Sequence, residues 1–440
     1  MKKIFKTMLV MIMIIGLLSG CSEKSSDGSA SPTNEPTNAA TGESSSDNQA
    51  SEKVELTYWQ HSSEARDAMI TSLVEKFEAE NQNITVNLQF IPQDDYTSKL
   101  IPALATDSAP DVFQIQSGMV NKLASEGSIQ PLAEAVISTE EIESDFVPST
   151  VDALNYDGKY YGIPTDTESL LLYWNKDLLS AEGLDAENGP QTWDEMFEYA
   201  RKLTKTGNGT MTQSGWGHNG YWPEITSIVQ QYGGKFYDSG TGTYVFADDP
   251  VSVQAITDMS NMIRVDKVYD VNFMANWAGF REGKVAMMLG HPAMVGNLAT
   301  TAPNLNYGLG LIPAADNGSR SCCVTSWAYV MSSNSAKAEA ATKLINYLGS
   351  EEVEKQWTQT TGELPARKSL LDDSELKSDA KVAVCLESLN ESFVGPLQTS
   401  ALNGIWSTYY EKITQTDEAL DAILKECQDA LNEEAAKELK

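Results

Sequence analysis

Residues 54–116 constrain the fold more than any other segment, because strand and helix patterns alternate along them. Val54–Trp59 is rich in β-branched and aromatic residues, and apolar positions repeat at helical spacing between Glu64 and Glu80. A strand over 84–90, a helix over about 96–105 and a strand over 110–115 are predicted next. This β-α-β-α-β order indicates an α/β sheet with helices on both faces. Ligands bind such sheets beyond the carboxyl ends of the strands, so residues 59–64 and 114–118 become candidate site loops.

The part of the chain from residue 54 to residue 440 is longer than one hydrophobic core usually supports, which predicts two lobes. Asp and Glu number 62 against 31 Lys and Arg, so electrostatics disfavour nucleic acid as a partner. The three His and the four Cys after Cys21 are scattered, and their spacing does not suit a zinc site. We therefore expect neither a metal nor a cofactor.

The first residues predict export. Lys2, Lys3 and Lys6 precede an apolar run over 8–18 that is too short to span a bilayer. Ser19-Gly20-Cys21 looks like a bacterial lipobox, so residues 1–20 are expected to be a signal peptide and Cys21 the lipidated first residue. An ordinary secretion signal with an incidental Cys is the alternative. Residues 21–53 are predicted to be a disordered tether, because residues 22–52 contain no large apolar side chain.

Several motifs follow one another in a characteristic order: Gly158–Leu179, Gln191–Met196, Phe280–Met288 and Gly362–Arg367. Together they resemble bacterial family-1 extracellular solute-binding proteins, the group that includes maltose-binding protein. The resemblance implies a two-lobe periplasmic-binding-protein fold of type II, with a ligand cleft between lobes joined by three hinge crossovers. The crossovers are expected near residues 152–156, 307–312 and 362–368. The lobes would be 54–152 plus 313–362, and 153–312 plus 363–440.

The same resemblance implies a function. The chain would be a monomeric receptor of an ABC importer, lipid-anchored to the outer face of the cell membrane. It would bind a carbohydrate by hinge closure and deliver it to two permease subunits that a separate ATPase drives. No phosphate-cradling G-x-x-x-x-G-K-[ST] loop occurs, so ATP hydrolysis by this chain is not expected. A non-sugar solute on the same scaffold, or a secreted carbohydrate-active enzyme with paired carboxylates, are the alternatives.

Two positions depart from the family pattern. Trp174-Asn175 stands where the family usually has Tyr-Asn. His291-Pro292-Ala293 stands where maltose-type members carry a stacking Trp. The second departure argues against maltodextrin as the ligand, and not against sugars in general.

Sugar sites combine aromatic faces with carboxylates, amides and Arg, because a sugar has apolar C–H faces and a rim of hydroxyls. Asp166 and Trp406 are candidates because their segments contact ligand in the family, and Arg367 lies at the expected third crossover. Positions in predicted cleft loops or turn-rich stretches supply the other candidates: Trp59, Gln60, His61, Glu64, Gln116, Trp222, Trp277, His291 and Trp327. For each, the alternative is a core aromatic or a solvated polar residue, and for Arg367 a structural salt bridge. Arg66 is expected to be a solvated helix residue, and pairing with the carboxylate of a uronic acid is the alternative.

The remaining cysteines allow disulfides after export. Cys322 and Cys323 are adjacent, so either two reduced thiols or a vicinal disulfide is expected. Cys385 and Cys427 lie on two predicted late helices, and a disulfide between them is a further expectation.

Overall fold

The described residues in this computed structural model are 53–438, apart from residues 63, 219, 239–240 and 397–398. The predicted signal peptide and tether, with Cys21, lie outside them except for Lys53. Residues Ser51–Lys440 form one compact unit.

Strands and helices alternate through most of the described chain. The strands are β1 Val54–Ser62, β2 Ile84–Pro92, β3 Val112–Gln116, β4 Ile129–Gln130, β5 Asn155–Tyr156, β6 Lys159–Tyr160, β7 Gly162–Glu168, β8 Leu171–Asn175, β9 Lys205–Gly207, β10 Thr210–Gln213, β11 Tyr237–Asp238, β12 Thr243–Tyr244, β13 Met287–Gly290, β14 Tyr307–Leu311, β15 Cys322–Ser332 and β16 Ser392–Val394. The α-helices are α1 Glu64–Glu80, α2 Gln93–Leu104, α3 Val120–Ser125, α4 Thr139–Asp145, α5 Pro148–Val151, α6 Lys176–Ala181, α7 Trp193–Leu203, α8 Trp222–Gln231, α9 Pro250–Arg264, α10 Asn276–Arg281, α11 Met294–Thr301, α12 Ala338–Leu348, α13 Glu351–Thr361, α14 Ala380–Glu387, α15 Ser400–Gln415 and α16 Leu420–Glu438.

The predicted β-α-β-α-β unit is confirmed. β1 lies between β2 and β3 and is parallel to both, with α1 and α2 as the connections. Apolar residues of these strands and helices, including Leu56, Ile70 and Phe113, fill the first core. β1 and β2 extend a few residues past their predicted ends, so residues 59–62 belong to the strand and not to a loop.

A long strand, β15, completes the main sheet. It runs antiparallel to β3 through Trp327–Met331 and antiparallel to β7 along most of its length. Its first residues, Cys322–Val324, pair in parallel with β16. The sequence did not predict β15, because it is buried on both sides and has no alternating pattern.

The second and third cores lie around β8, which pairs antiparallel with β13 and β14. The pattern Thr192-Trp-Asp-Glu195 predicts a capped helix start, and the Thr192 hydroxyl accepts a hydrogen bond from the Glu195 N–H where α7 begins. Glu195 in turn accepts from the Gln191 N–H at 2.7 Å. The Gly- and Thr-rich composition of residues 207–220 predicts a loop, whereas residues 205–213 form the β9–β10 hairpin.

The chain changes core at three places, and we call the elements around the first core the first lobe and those around the other two the second lobe. It leaves the first core after Ile163 and enters the second at Leu170, along β7. It returns along β15, between Val324 and Trp327. A third change lies between Trp357 and Leu370.

The first two changes lie later in the chain than the sequence predicted. β7 and β15 run straight from one core to the other, so no turn residue marks either change in the sequence. The lobe bounds 54–152 plus 313–362 and 153–312 plus 363–440 stay a prediction.

Cys322, Cys323, Cys385 and Cys427 are buried free thiols, and neither expected disulfide is present. Burial raises the pKa of both Cys322 and Cys323 to about 12, so these thiols stay protonated. Cys427 belongs to the second core and Cys385 to the third, which explains why the two do not meet.

Within the described residues, no helix is both long and apolar enough to cross a bilayer. The same residues contain no grouping of His, Cys, Asp and Glu suited to holding a metal ion.

Candidate functional site

A cleft of about 1300 Å³ is lined by residues of both lobes. The ends of β3 and β7, the middle of β15, the start of α1 and the segment after α13 form its floor. α11 and the β11–β12 hairpin contribute from the second lobe, and α3 and α5 from the first. Ligand pockets usually measure 300–1,000 Å³, so this cleft has room for more than one sugar unit.

Four predicted site residues line this cleft: Gln116, Trp277, His291 and Trp327. Gln116 ends β3, as the rule for the carboxyl ends of parallel strands predicts. Trp327 lies on β15, and its ring packs on His61 with the ring centroids 4.2 Å apart. Trp277 is half-buried on α10 and packs against the third core on one side.

Trp222 and Trp406 do not line the cleft. Their rings pack on each other in the second core, with the centroids 5.0 Å apart. The indole N–H of Trp406 donates to the Gly220 carbonyl at 2.8 Å. Trp222 begins α8 and Trp406 lies within α15, and both rings belong to the core.

The residues predicted at the end of β1 also lie off the cleft. Trp59 is half-buried against the first core, and Gln60 and His61 are buried. The Tyr58 hydroxyl donates to the Gln60 side chain. Because β1 continues to Ser62, these side chains are held in the sheet instead of a loop. Glu64 begins α1, and its side chain lies outside the described residues.

Arg367 is a structural residue in this fold. Its guanidinium donates to Asp145 at 3.0 Å and to the Gly349 carbonyl at 2.7 Å, and it lies over the Phe146 ring. None of these partners lines the cleft. The arrangement matches the salt-bridge alternative.

A charged cluster forms the centre of the cleft floor. The Arg66 guanidinium, only 8 % exposed, pairs with Glu363, and the other Glu363 oxygen accepts from the Trp357 indole N–H at 2.6 Å. The expectation that Arg66 is solvated is therefore wrong. Glu363 follows α13 near the third change of core and reaches Arg66 at the start of α1.

Two further carboxyls, Asp166 and Glu168, follow on β7. Burial and the neighbouring Glu363 raise the pKa of Glu168 to about 7, and the same causes raise the pKa of Asp166. Asp166 is buried behind the cleft surface and accepts from the Thr165 hydroxyl at 2.7 Å. Its other carboxyl oxygen accepts no hydrogen bond within the described residues.

Both histidines near the floor are neutral. Burial and the nearby Arg66 lower the pKa of His61 to about 3, and burial lowers the pKa of His291. Nδ1 of His291 lies 3.0 Å from the Ser169 carbonyl, which can only accept, so Nδ1 carries the proton. Nε2 is then the acceptor of this ring.

Sequence reasoning missed Glu168, Tyr221 and Glu363, which all line the cleft. Glu168 lies two residues after Asp166, and alternate residues of a strand share a face, so this signal was available. Tyr221 precedes Trp222 and presents its ring edge-on to His291, with the centroids 5.4 Å apart. Glu363 lies in the Gly362–Arg367 motif, from which only Arg367 was predicted as a site residue.

A strip of small and polar residues forms another part of the wall. Gly296, Asn297, Thr300 and Thr301 on α11 line the cleft, as do Thr360 and Thr361 at the end of α13. Hydroxyl and amide groups both donate and accept hydrogen bonds, so this strip suits a ligand with many hydroxyls.

The sequence pattern of a known family, described as bacterial extracellular solute-binding protein, matches residues 72–384. The chain belongs to this family. The match covers more than two thirds of the chain and includes both strands that pass between the lobes.

Individual members give the comparison more detail. A galactooligosaccharide-binding protein of Bacillus subtilis is 27 % identical over 403 residues, which cover 87 % of each chain. An sn-glycerol-3-phosphate-binding periplasmic protein of Escherichia coli is 27 % identical over 328 residues, 69 % of this chain and 72 % of that one. Among solved structures, an ABC substrate-binding protein of Listeria monocytogenes in complex with cycloalternan superposes with a TM-score of 0.74. At 24 % identity, and covering 88 % of this chain and all of that one, it shows the same two-lobe α/β fold.

Proposed function

We propose that this family member is the substrate-binding lipoprotein of an ABC importer and that its ligand is a carbohydrate. The observation that carries the proposal is the cleft itself, in which Tyr221, Trp277 and Trp327 accompany a polar strip and a carboxylate-arginine floor. Flat aromatic faces suit the C–H faces of a pyranose ring, and the polar groups suit its hydroxyls. Relatives that are named for oligosaccharide ligands support the same class.

The polar groups would set specificity. A buried hydroxyl left without a partner costs on the order of 1–3 kcal/mol, so a sugar whose hydroxyls do not meet Asn297, Thr300 or Glu168 is rejected. Neutral His291 offers an acceptor at Nε2 on the same wall. Gln116 offers both a donor and an acceptor from the opposite lobe.

Binding is coupled to closure of the lobes in this proposal. Contacts from both lobes are complete only in a closed state, so ligand shifts the population toward that state. β7 and β15 pair side by side where they pass between the cores, and Leu364 bridges to Thr167 beside them. Bending at these neighbouring segments would close the cleft. The closed form would then dock on two permease subunits served by a separate ATPase.

Specific observations also favour two alternatives, a non-sugar ligand and a glycosidase. The relative named for glycerol 3-phosphate supports a non-sugar solute on the same scaffold. Glu168, with its raised pKa beside Glu363, has the perturbed carboxyl that a glycosidase would use as its acid. The family consists of binding proteins, which favours the receptor.

A melting-shift screen tests the proposal most directly. The full-length protein is heated with mono- and oligosaccharides, uronates, glycerol 3-phosphate and polyamines, and hits are measured by calorimetry. We expect a carbohydrate to raise the melting temperature, because a ligand bound only to the folded state stabilises it. If only non-carbohydrates do so, the sugar assignment fails. Chromatography of a hit after long incubation tests the enzyme alternative, since cleaved oligosaccharide would contradict a receptor.

A further inference from the structure

The cleft floor holds more acidic than basic side chains. Asp166, Glu168 and Glu363 lie around a single guanidinium, that of Arg66, which acts on all three. Lys122 also lines the cleft, on α3. Even with Lys122 included, the acidic side chains of the lining and its buried neighbour Asp166 outnumber the basic ones.

Arg66 and Glu363 satisfy each other, so the surplus falls on the two other carboxyls. Glu363 uses one oxygen for Arg66 and the other for the Trp357 indole N–H. Asp166 has a buried oxygen without a hydrogen-bond donor among the described residues. Glu168 has its side chain 19 % exposed in the cleft and receives a hydrogen bond from Thr325.

The groups that face Glu168 do not neutralise it. Nδ1 of His291 lies 3.8 Å away and donates to the Ser169 carbonyl, and this ring is neutral. Tyr221 is also neutral, because burial raises the pKa of its phenol. Glu363 is a further carboxyl. Arg66, the cation that acts on Glu168, is already paired with Glu363, so a ligand meets a Glu168 carboxyl without an ion-pair partner of its own among these groups.

We propose that the carbohydrate taken by this cleft carries a protonated amine, as an amino sugar does, and that the ammonium group lies against Glu168. This inference rests on the proposed function and names the class of sugar. The aromatic rings of Trp277, Trp327 and Tyr221 add to the selection, since aromatic faces attract cations as well as sugar C–H faces. A phosphate or a uronate would be repelled by the same floor, in contrast to the ligand named for the glycerol-3-phosphate relative.

Binding of an ammonium group at Glu168 should release a proton, which can be measured. The pKa of Glu168 is raised to about 7, so near neutral pH a fraction of the free protein carries a proton there. An arriving ammonium favours the ionised carboxylate and expels that proton to solvent. A neutral sugar places no cation on Glu168 and expels none.

Matched sugar pairs test the idea. Glucosamine and glucose, galactosamine and galactose, mannosamine and mannose, and the glucosamine disaccharide and cellobiose are titrated calorimetrically into the full-length protein at pH 7. We expect an amino sugar to bind at least about tenfold more tightly than its hydroxyl partner in one or more pairs. Repeating that titration in buffers of different ionisation enthalpy should show proton release for the amino sugar alone.

Glu168→Gln removes the charge while preserving shape and hydrogen-bonding capacity. The ratio of affinities within the responsive pair should fall to about threefold or less, and proton release should disappear. Glu339→Gln is the matched control: this exposed carboxylate pairs with Lys343 on α12 and should leave the ratio unchanged.

The failures of the two proposals can be told apart. If neutral sugars bind as tightly as amino sugars in every pair, or Glu168→Gln keeps the preference, the amine inference is overturned while a sugar receptor stands. If no sugar of either kind binds and a non-carbohydrate does, both proposals fail.

Discussion

Four of the tryptophans that were predicted as ligand contacts occupy two different environments in the fold. Trp277 and Trp327 line the cleft, whereas Trp222 and Trp406 stack inside the second core. All four were predicted as ligand contacts, because the sequence gives the position of a tryptophan and not the direction of its ring. Only the packing of α8 against α15 and of β15 against β3 separates them.

Replacing two of these tryptophans should separate binding from stability. Trp277→Ala removes a half-buried cleft ring, so affinity for the sugar should fall about tenfold or more with little change in melting temperature. Trp222→Ala empties core volume and should cost about 3–5 kcal/mol of unfolding free energy. Calorimetric titration and denaturant unfolding measure the two quantities. A loss of stability without a loss of affinity in Trp277→Ala would contradict its assignment to the cleft.

Elements with a local signal were predictable, and elements defined by distant partners were not. β1, α1, β2 and the capped start of α7 follow from residue patterns within about twenty positions. β15 pairs with β3, some 200 residues earlier, and its buried residues show no period that distinguishes strand from helix. The charged floor was missed for the same reason, because Arg66 and Glu363 are far apart in sequence and come together only in the fold.

The helix α13 carries a buried carboxyl, that of Glu354, which makes the stability of the fold depend on pH. Glu354 is buried and accepts from the Ala366 and Arg367 N–H groups at 3.0 and 2.9 Å, while its other oxygen has no partner within the described residues. Burial raises the pKa of Glu354 to about 8. In the unfolded chain the pKa returns to about 4.3. The folded state therefore binds the proton more tightly, and this contribution to stability is lost as pH rises from about 4.3 through 8.

Glu354→Gln should flatten that dependence. The amide oxygen can still accept both N–H groups, and no proton is lost between pH 5 and pH 8.5. We expect the fall in unfolding free energy over this range to be smaller in the variant than in the unmodified protein, as measured by urea denaturation. Glu352→Gln on the same helix, with a side chain 76 % exposed, is the control and should follow the unmodified protein. An unchanged pH slope in Glu354→Gln would show that Glu354 is ionised in the fold.

At the scale of the whole molecule, the two-lobe fold was predictable because family motifs recur in order along the chain, and the structural relatives agree. The positions at which the chain crosses from one lobe to the other were less predictable, because continuous strands make the crossings. The ligand was the least predictable feature. It depends on how side chains from β3, β7, α10 and the segment after α13 converge, and no single motif contains that information.

Membrane attachment is part of the proposed function, and in that proposal it would depend on the predicted lipid on Cys21. The chain has 62 acidic against 31 basic side chains, so anionic lipid head groups repel its surface and electrostatics cannot hold it at a membrane. Cys21→Ser in a bacterial host that processes lipoproteins should therefore move the protein almost completely from the membrane fraction to the soluble fraction. Mass spectrometry of the protein with Cys21 intact should show acyl chains on a mature chain that begins at Cys21. Retention of Cys21→Ser in washed membranes would mean that something other than a lipid holds this acidic protein there.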